Sequence, residues 1–343
     1  MELIRKRNPQ ISIAKALGII LMVIGHVYTK DSIGIHFIYM FHMPLFFILS
    51  GYFFKGPNNF QDMRKYTYKK IKSLYLPFCK WVLLFILLHN FLLEYGIGHT
   101  KYSVSDIIFC TLKSIVSFVS TETILVGFWF IKALFTACII LAILFYIKTI
   151  LKIHELAIPL ILLFFISIQF FYGLNNLTIK GMMYGALFLY IGYIYHKYCK
   201  DGNKASWLII CICFLTILLL SQCYDDIHNT EMLLVDKTTL FPFTVTGTMG
   251  SIMILMISEK VCHVNVIIKN ILCYIGNNTM IILALHYPII HIWNYHIQQF
   301  IHSDSILNLT GCIIGITLPI ALVLVYNFIR NKLVVNIIFN NRR

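Results

Sequence analysis

Charge is what this sequence has least of: Asp, Glu, Lys and Arg make up only 12% of its 343 residues, while 59% are hydrophobic. So apolar a chain has too little polar surface to face water, which excludes a soluble globule. Acidic residues are the rarer sign, 14 against 28 basic ones. The ten cysteines are scattered, mostly within apolar runs. They form neither a paired framework nor a metal-ligand spacing, and even Cys211 and Cys213 are too close together and too buried to suggest more. They read as ordinary small buried residues, and no metal site is expected. No internal repeat, low-complexity tract or Pro/Gly/Ser linker divides the chain, so residues 1–343 read as one polytopic domain. The first apolar run carries Lys15 and ends without a small-residue cleavage pattern, so it reads as a retained anchor, not a signal peptide.

What the sequence does have is long hydrophobic runs. Windows of roughly 20 apolar residues predict an all-α integral membrane fold of about ten transmembrane helices, at 11–28, 35–54, 74–96, 126–147, 156–173, 178–197, 206–222, 239–258, 277–298 and 306–329. The stretch 104–120, with Asp106 and Lys113, reads either as a surface helix or as a re-entrant segment. The basic excess invites a nucleic-acid reading, but its placement argues against one. Arg5, Lys6 and Arg7 precede the first run, and Lys55, Arg64, Lys65, Lys69, Lys70 and Lys72 follow the second. Lys148 and Lys152 follow the fourth, Lys197, Lys200 and Lys204 the sixth, Lys260 and Lys269 the eighth, and Arg330, Lys332, Arg342 and Arg343 the tenth. The alternate loops hold only Lys30, Lys101, Lys113, Lys180 and Lys237, together with the acidic residues Asp225, Asp226, Glu231 and Asp236. By the positive-inside rule both termini are cytoplasmic, and the partner is the lipid bilayer of a cell membrane. The basic connection 55–73 reads as a topology signal against anionic head groups, each basic residue contributing about 1 kcal/mol. The sharper reading makes it a landing site for an anionic, phosphate-bearing substrate.

Ionisable groups at bilayer depth are costly and mark function by default. Lys15 and His26 stand eleven positions apart in the first run, which puts them on one helix face about 16 Å apart along the axis. His42, in the run Phe41-His42-Met43-Pro44-Leu45-Phe46-Phe47-Ile48-Leu49-Ser50-Gly51-Tyr52, descends from the opposite side to about the depth of His26, so the two imidazoles are expected to share a site. Pro44 is expected to kink that helix beside polar groups, and Ser50-Gly51 invites close helix packing. The fourth run opens with Trp129, read as an aromatic-belt residue, and Lys132, about 9 Å inside, which either snorkels outward or joins the site. In the ninth run Asn278 and Thr279 can cap a helix, and His286 follows in mid-membrane with Pro288 beside it. His36 and His291 sit near helix ends, where solvation is cheap, and Lys80 snorkels to the interface.

Together these residues resemble the acyltransferase 3 family of integral membrane acyltransferases, and within it the fucose 4-O-acetylase-like branch. The family's basic-x10-His pattern is met by Lys15 and His26, with Gly25-His26 closing the branch's apolar run. Its Phe-His-Met-Pro-Leu-Phe-Phe-x-x-Ser-Gly-Tyr pattern is met at 41–52 without a gap. Trp-Phe-x-x-Ala-Leu-Phe is met at 129–135, and Gly-x-Asn-Thr followed by an intramembrane His is met by Gly276, Asn278, Thr279 and His286. Where the branch usually has Asp before the basic residue, this chain has Ser12, and Ala16 replaces a common Gly.

The resemblance implies transfer of an acyl group, usually acetyl from acetyl-CoA, to a hydroxyl of a surface polysaccharide or its lipid-linked precursor in the cytoplasmic membrane, with no metal. On that reading His26 is the general base or briefly carries the acyl group, and His42 and His286 complete the catalytic cleft. Lys15 meets donor phosphate; Trp129, Lys132, Asn278 and Ser50 line the substrate side, with Lys132 or Asn278 facing the oxyanion. A glycan transporter or flippase, or a non-catalytic partner of polysaccharide assembly, would also place His and Lys in the membrane. Transporters commonly carry paired repeats, and none is seen.

Overall fold

The computed structural model describes residues 8–28, 33–98, 100–172, 177–199, 206–222, 232 and 239–340. Arg5, Lys6, Arg7, Lys30, Lys200, Lys204, Asp225, Asp226, Glu231, Asp236, Lys237, Arg342 and Arg343, on which the orientation reading leans, fall outside them. Among the described residues every regular element is helical and there is no strand. Six helical stretches are long and apolar enough to cross a membrane: Pro9–Val27, Gly34–Tyr52, Phe60–Tyr95, Trp129–Leu151, Leu240–Val264 and Asp304–Arg330. A bent pair, Val266–Asn277 and Thr279–Ile297, turns by 78° between its halves and makes a seventh if counted as one span. The chain is therefore a multi-pass membrane protein.

The helices are α1 (Pro9–Val27), α2 (Ile33–Tyr39), α3 (His42–Tyr52), α4 (Phe60–Lys70), α5 (Leu76–Leu92), α6 (Val104–Ser117) and α7 (Trp129–Leu151), then α8 (Ala157–Phe171), α9 (Leu177–Cys199), α10 (Trp207–Ser221), α11 (Leu240–Val264), α12 (Val266–Asn277), α13 (Thr279–Ile297) and α14 (Asp304–Asn340). Every predicted run except 35–54 coincides with one helix, but α8 and α10 are only 15 residues long, about 22 Å against a hydrocarbon core of about 30 Å. At the start of α1 the Asn8 side chain accepts from the Gln10 amide at 2.9 Å, and Pro9 occupies the first turn, where its missing N–H costs nothing.

Three departures from the predicted runs shape the site. The run 35–54 is broken: α2 ends at Tyr39, and α3 starts afresh at His42. Pro44 is then the third residue of α3, among amides that have no helical acceptor anyway, so it starts the helix and does not kink it. The basic connection after α3 is largely helix, not loop, because α4 runs into α5 through a π-helical turn, Ile71–Tyr75. Pro77 has no N–H to return to Ser73, and the Leu76 amide reaches back five residues to Ile71. The segment 104–120 doubles back along α5: Tyr102 stacks on His89 at 3.5 Å near the end of α5, while Tyr75 at its beginning donates to the Ile115 carbonyl at 3.0 Å. The chain then climbs back to His89, which Glu122 meets at 2.9 Å.

Small residues let the central helices touch. A Cβ on Gly51 would collide with the Leu189 backbone, and one on Gly192 would collide with that of Ile48, so α3 and α9 pack backbone to backbone. Gly276 lies against the Ser12 carbonyl in the same way, pressing α12 onto α1. Ser12 is buried there and donates to Asn277 Oδ1 at 3.2 Å.

Candidate active site

α1 carries His26 near its end, and α13 brings His286 across to it: the ring centroids are 5.3 Å apart and the planes cross at 46°. His286 is 1% exposed. Its Nδ1 lies 2.9 Å from the Ile282 carbonyl and 3.0 Å from that of Leu283. A carbonyl only accepts, so Nδ1 carries the proton and Nε2 holds the lone pair. That Nε2 is buried and has no hydrogen-bond partner. His42 is set by the same device, its Nδ1 donating to the Ile38 carbonyl at 2.9 Å; the break between α2 and α3 leaves that carbonyl within reach of the ring. His42 and His26 are close enough for a charge on one to act on the other.

Tyr39, in the last turn of α2, ties these rings together. It meets His42 edge-on with centroids 5.1 Å apart, and its hydroxyl donates to the Gly25 carbonyl at 3.3 Å. A Cβ on Gly25 would stand 3.0 Å from the Tyr39 ring, so the glycine before His26 is what admits the tyrosine. His26 is only partly buried, while His42 and His286 are buried. Of the three imidazoles it keeps the most exposed surface.

Beside this cluster lies a cavity of about 320 Å³ between α1, α3, the π turn, α7 and α13. Met22, Phe46 and Leu283 line it about one turn short of His26, His42 and His286 respectively. Lys15, Ser50, Lys70, Ser73 and Thr279 supply its polar groups. One space thus joins two lysines to walls of Met, Phe, Ile and Leu that end about one turn from the three imidazoles. An elongated molecule with an anionic end and a reactive tip fits that polarity. No group of three or more His, Cys, Asp or Glu among the described residues is placed to hold a metal ion.

The acyltransferase domain of the acyltransferase 3 family matches residues 8–327. The chain belongs to that family. No curated protein and no solved structure matches it. In this acyltransferase domain the structure gathers His26, His42 and His286 at one level and puts Lys15 and Ser50 in the adjoining cavity. Within the group His286 is the ring in contact with His26, and Tyr39 stands against His42.

The other expected residues go elsewhere. Lys132 Nζ donates to the Ser117 carbonyl at 2.9 Å, closing the end of α6. Trp129 packs edge-on against Phe130, centroids 6.3 Å apart, and its neighbours Phe130 and Ile131 line the cavity in its place. The Asn278 amide donates back to the Tyr274 carbonyl at 2.8 Å, so it finishes α12 where a cap for α13 was expected. Its main-chain carbonyl begins α13 by accepting from the Ile281 and Ile282 amides. His36, expected at a solvated helix end, is buried, because α2 folds inward at the break. Sequence reasoning passed over Tyr39 and Ser73, and read Lys70 only as part of the basic connection 55–73, either a topology signal or a landing site for an anionic substrate. Pro77 was the available signal: a proline inside a helical run forces the widened turn that Lys70 leads into and on which Ser73 sits.

Proposed function

We propose that the protein is a membrane O-acyltransferase of the fucose 4-O-acetylase-like branch, moving an acyl group, in the simplest case acetyl, from acyl-CoA to a hydroxyl of a cell-surface or lipid-linked carbohydrate. The observation that carries the reading is a cavity bordered by Lys15 and Lys70 whose wall at Met22, Phe46 and Leu283 ends about one turn from the cluster of His26, His42 and His286. We place it in the cytoplasmic membrane with ten spans, counting the short helices, and with both termini in the cytoplasm. Lys15 and Lys70 then face the compartment that holds acyl-CoA.

Lys15 and Lys70 would hold the phosphates of the donor, and the apolar walls would hold its pantetheine arm. Acyl-CoA supplies an activated thioester. His26 takes the proton of the acceptor hydroxyl as oxygen attacks, then returns it to the departing sulfur; a base so placed is worth 10²–10⁴-fold. His286, its Nδ1 proton committed to main-chain carbonyls, presents only a lone pair toward the pair and steadies the protonated His26. His42 and Tyr39 hold the opposite wall.

The test is mass spectrometry of surface glycans from cells lacking the gene, complemented with wild type, His26→Ala or Lys15→Ala. Wild type alone should restore an alkali-labile acyl increment while all three proteins reach the membrane equally. A glycan whose mass never changes but whose export does would overturn the reading in favour of a transporter.

A further inference from the structure

A second cavity, about 490 Å³, lies on the other side of α1 and is lined by apolar side chains throughout, among them Leu21, Phe37, Phe41, Trp207 and Phe214. It is a groove and not a chamber. α10 forms its lip, where Trp207 is 65% exposed, Leu215 55% and Phe214 45%. At its Trp207 end the ammonium of Lys260, in the closing turns of α11, stands 4.5 Å above the indole ring. Glu259 lies instead within electrostatic reach of Cys262, toward α12.

We propose that this groove seats one acyl chain of an anionic phospholipid from the leaflet on the Lys260 side, with the lipid phosphate against that ammonium. The side opening admits one chain while its twin stays in the bilayer, which suits a two-chain lipid. Lipid tails are as apolar as the groove, so the chain alone gains little by entering. Selection comes from the headgroup, and one lysine at an anionic surface gives about a five-fold preference. The occupant has a structural consequence. It backs Phe37 and Phe41, which touch edge-on with centroids 5.4 Å apart, and the residue after Phe41 is His42.

The experiment is native mass spectrometry of the full chain after exchange with vesicles of equal phosphatidylglycerol and phosphatidylcholine. Wild type should retain phosphatidylglycerol about five-fold over phosphatidylcholine. Lys260→Gln should retain lipid without the preference, and Cys211→Trp, which fills the groove from an exposed position, should lose both. Equal retention of the two lipids by wild type, unchanged retention by Cys211→Trp, or displacement of phosphatidylglycerol by an equimolar prenyl phosphate overturns the proposal. The readout involves no acyl transfer, so it stands or falls apart from the catalytic reading.

Discussion

Two buried histidine environments in this protein differ in how completely the imidazole is satisfied. His89, 7% exposed, has both ring nitrogens on acceptors: Glu122 Oε2 at 2.9 Å and the Thr100 carbonyl at 3.0 Å. Both nitrogens therefore face oxygen atoms, and the ring is held from two sides. The parallel ring of Tyr102 covers it, and Asn90 clamps Tyr102 through both its amide and its carbonyl. That histidine is fully spent on holding the returning chain to α5. The imidazoles of α1, α3 and α13 have no acidic partner among the described residues, and His286 keeps a buried nitrogen with nothing to bond. Burying a polar atom unpaired costs about 1–3 kcal/mol, and such a group calls for a functional explanation. His89 is committed to holding the fold, whereas His286 keeps one nitrogen uncommitted.

The largest effect that tests this contrast is loss of activity. His26→Ala should lower acyl transfer 10²–10⁴-fold with little change in thermal stability, measured by glycan mass and by melting of the purified protein. His89→Ala should do the reverse, costing about 3–5 kcal/mol of stability by stranding Glu122 in the interior while the folded fraction keeps its specific activity. If His26→Ala melts the protein instead, the contrast fails. Next in size, Lys15→Gln and Lys70→Gln should each raise KM for the donor with kcat little altered. A charged hydrogen bond of about 1.5–3 kcal/mol corresponds to roughly 10–150-fold.

The smallest effect lies at the surface. The Glu155 carboxylate accepts from Lys197 Nζ at 2.6 Å and from the hydroxyls of Tyr198 at 3.0 Å and Tyr193 at 3.3 Å. The Lys197 hydrogen bond leads in holding its carboxyl below the usual carboxylate range. A carboxyl depressed in the folded state stabilises above its unfolded pKa, and that stability is lost as pH falls through the folded one. Glu155→Gln should therefore melt lower at neutral pH by the about 0.2–1 kcal/mol of a part-exposed pair, and the gap should close in acid.

Much of the site was legible because helical geometry is local. Eleven residues of separation fix Lys15 and His26 on one face whatever surrounds them; Lys15 lines the cavity, and His26 stands one turn beyond Met22 at its wall. Lys132 shows the limit: its depth in the run was readable, but the carbonyl it bonds belongs to a hairpin fifteen residues earlier. The segment 104–120 was given two readings, surface helix or re-entrant segment, since an amphipathic segment suits an interface or a neighbouring helix equally; the structure adds that it packs along α5. Pro44 was misjudged because the helix starts two residues before it, at His42, beside Phe41 packed against Gly250 of α11, a contact between distant segments.

The sequence by itself determined the membrane class, the helical composition and the presence of costly ionisable groups at depth, because hydropathy and helix pitch act over single segments. Only the tertiary structure decided that His286 and not His42 meets His26, that Tyr39 closes the cluster through the space Gly25 leaves, and that the π turn puts Lys70 and Ser73 on the cavity. Those are contacts between helices, and they follow from how the backbones approach one another.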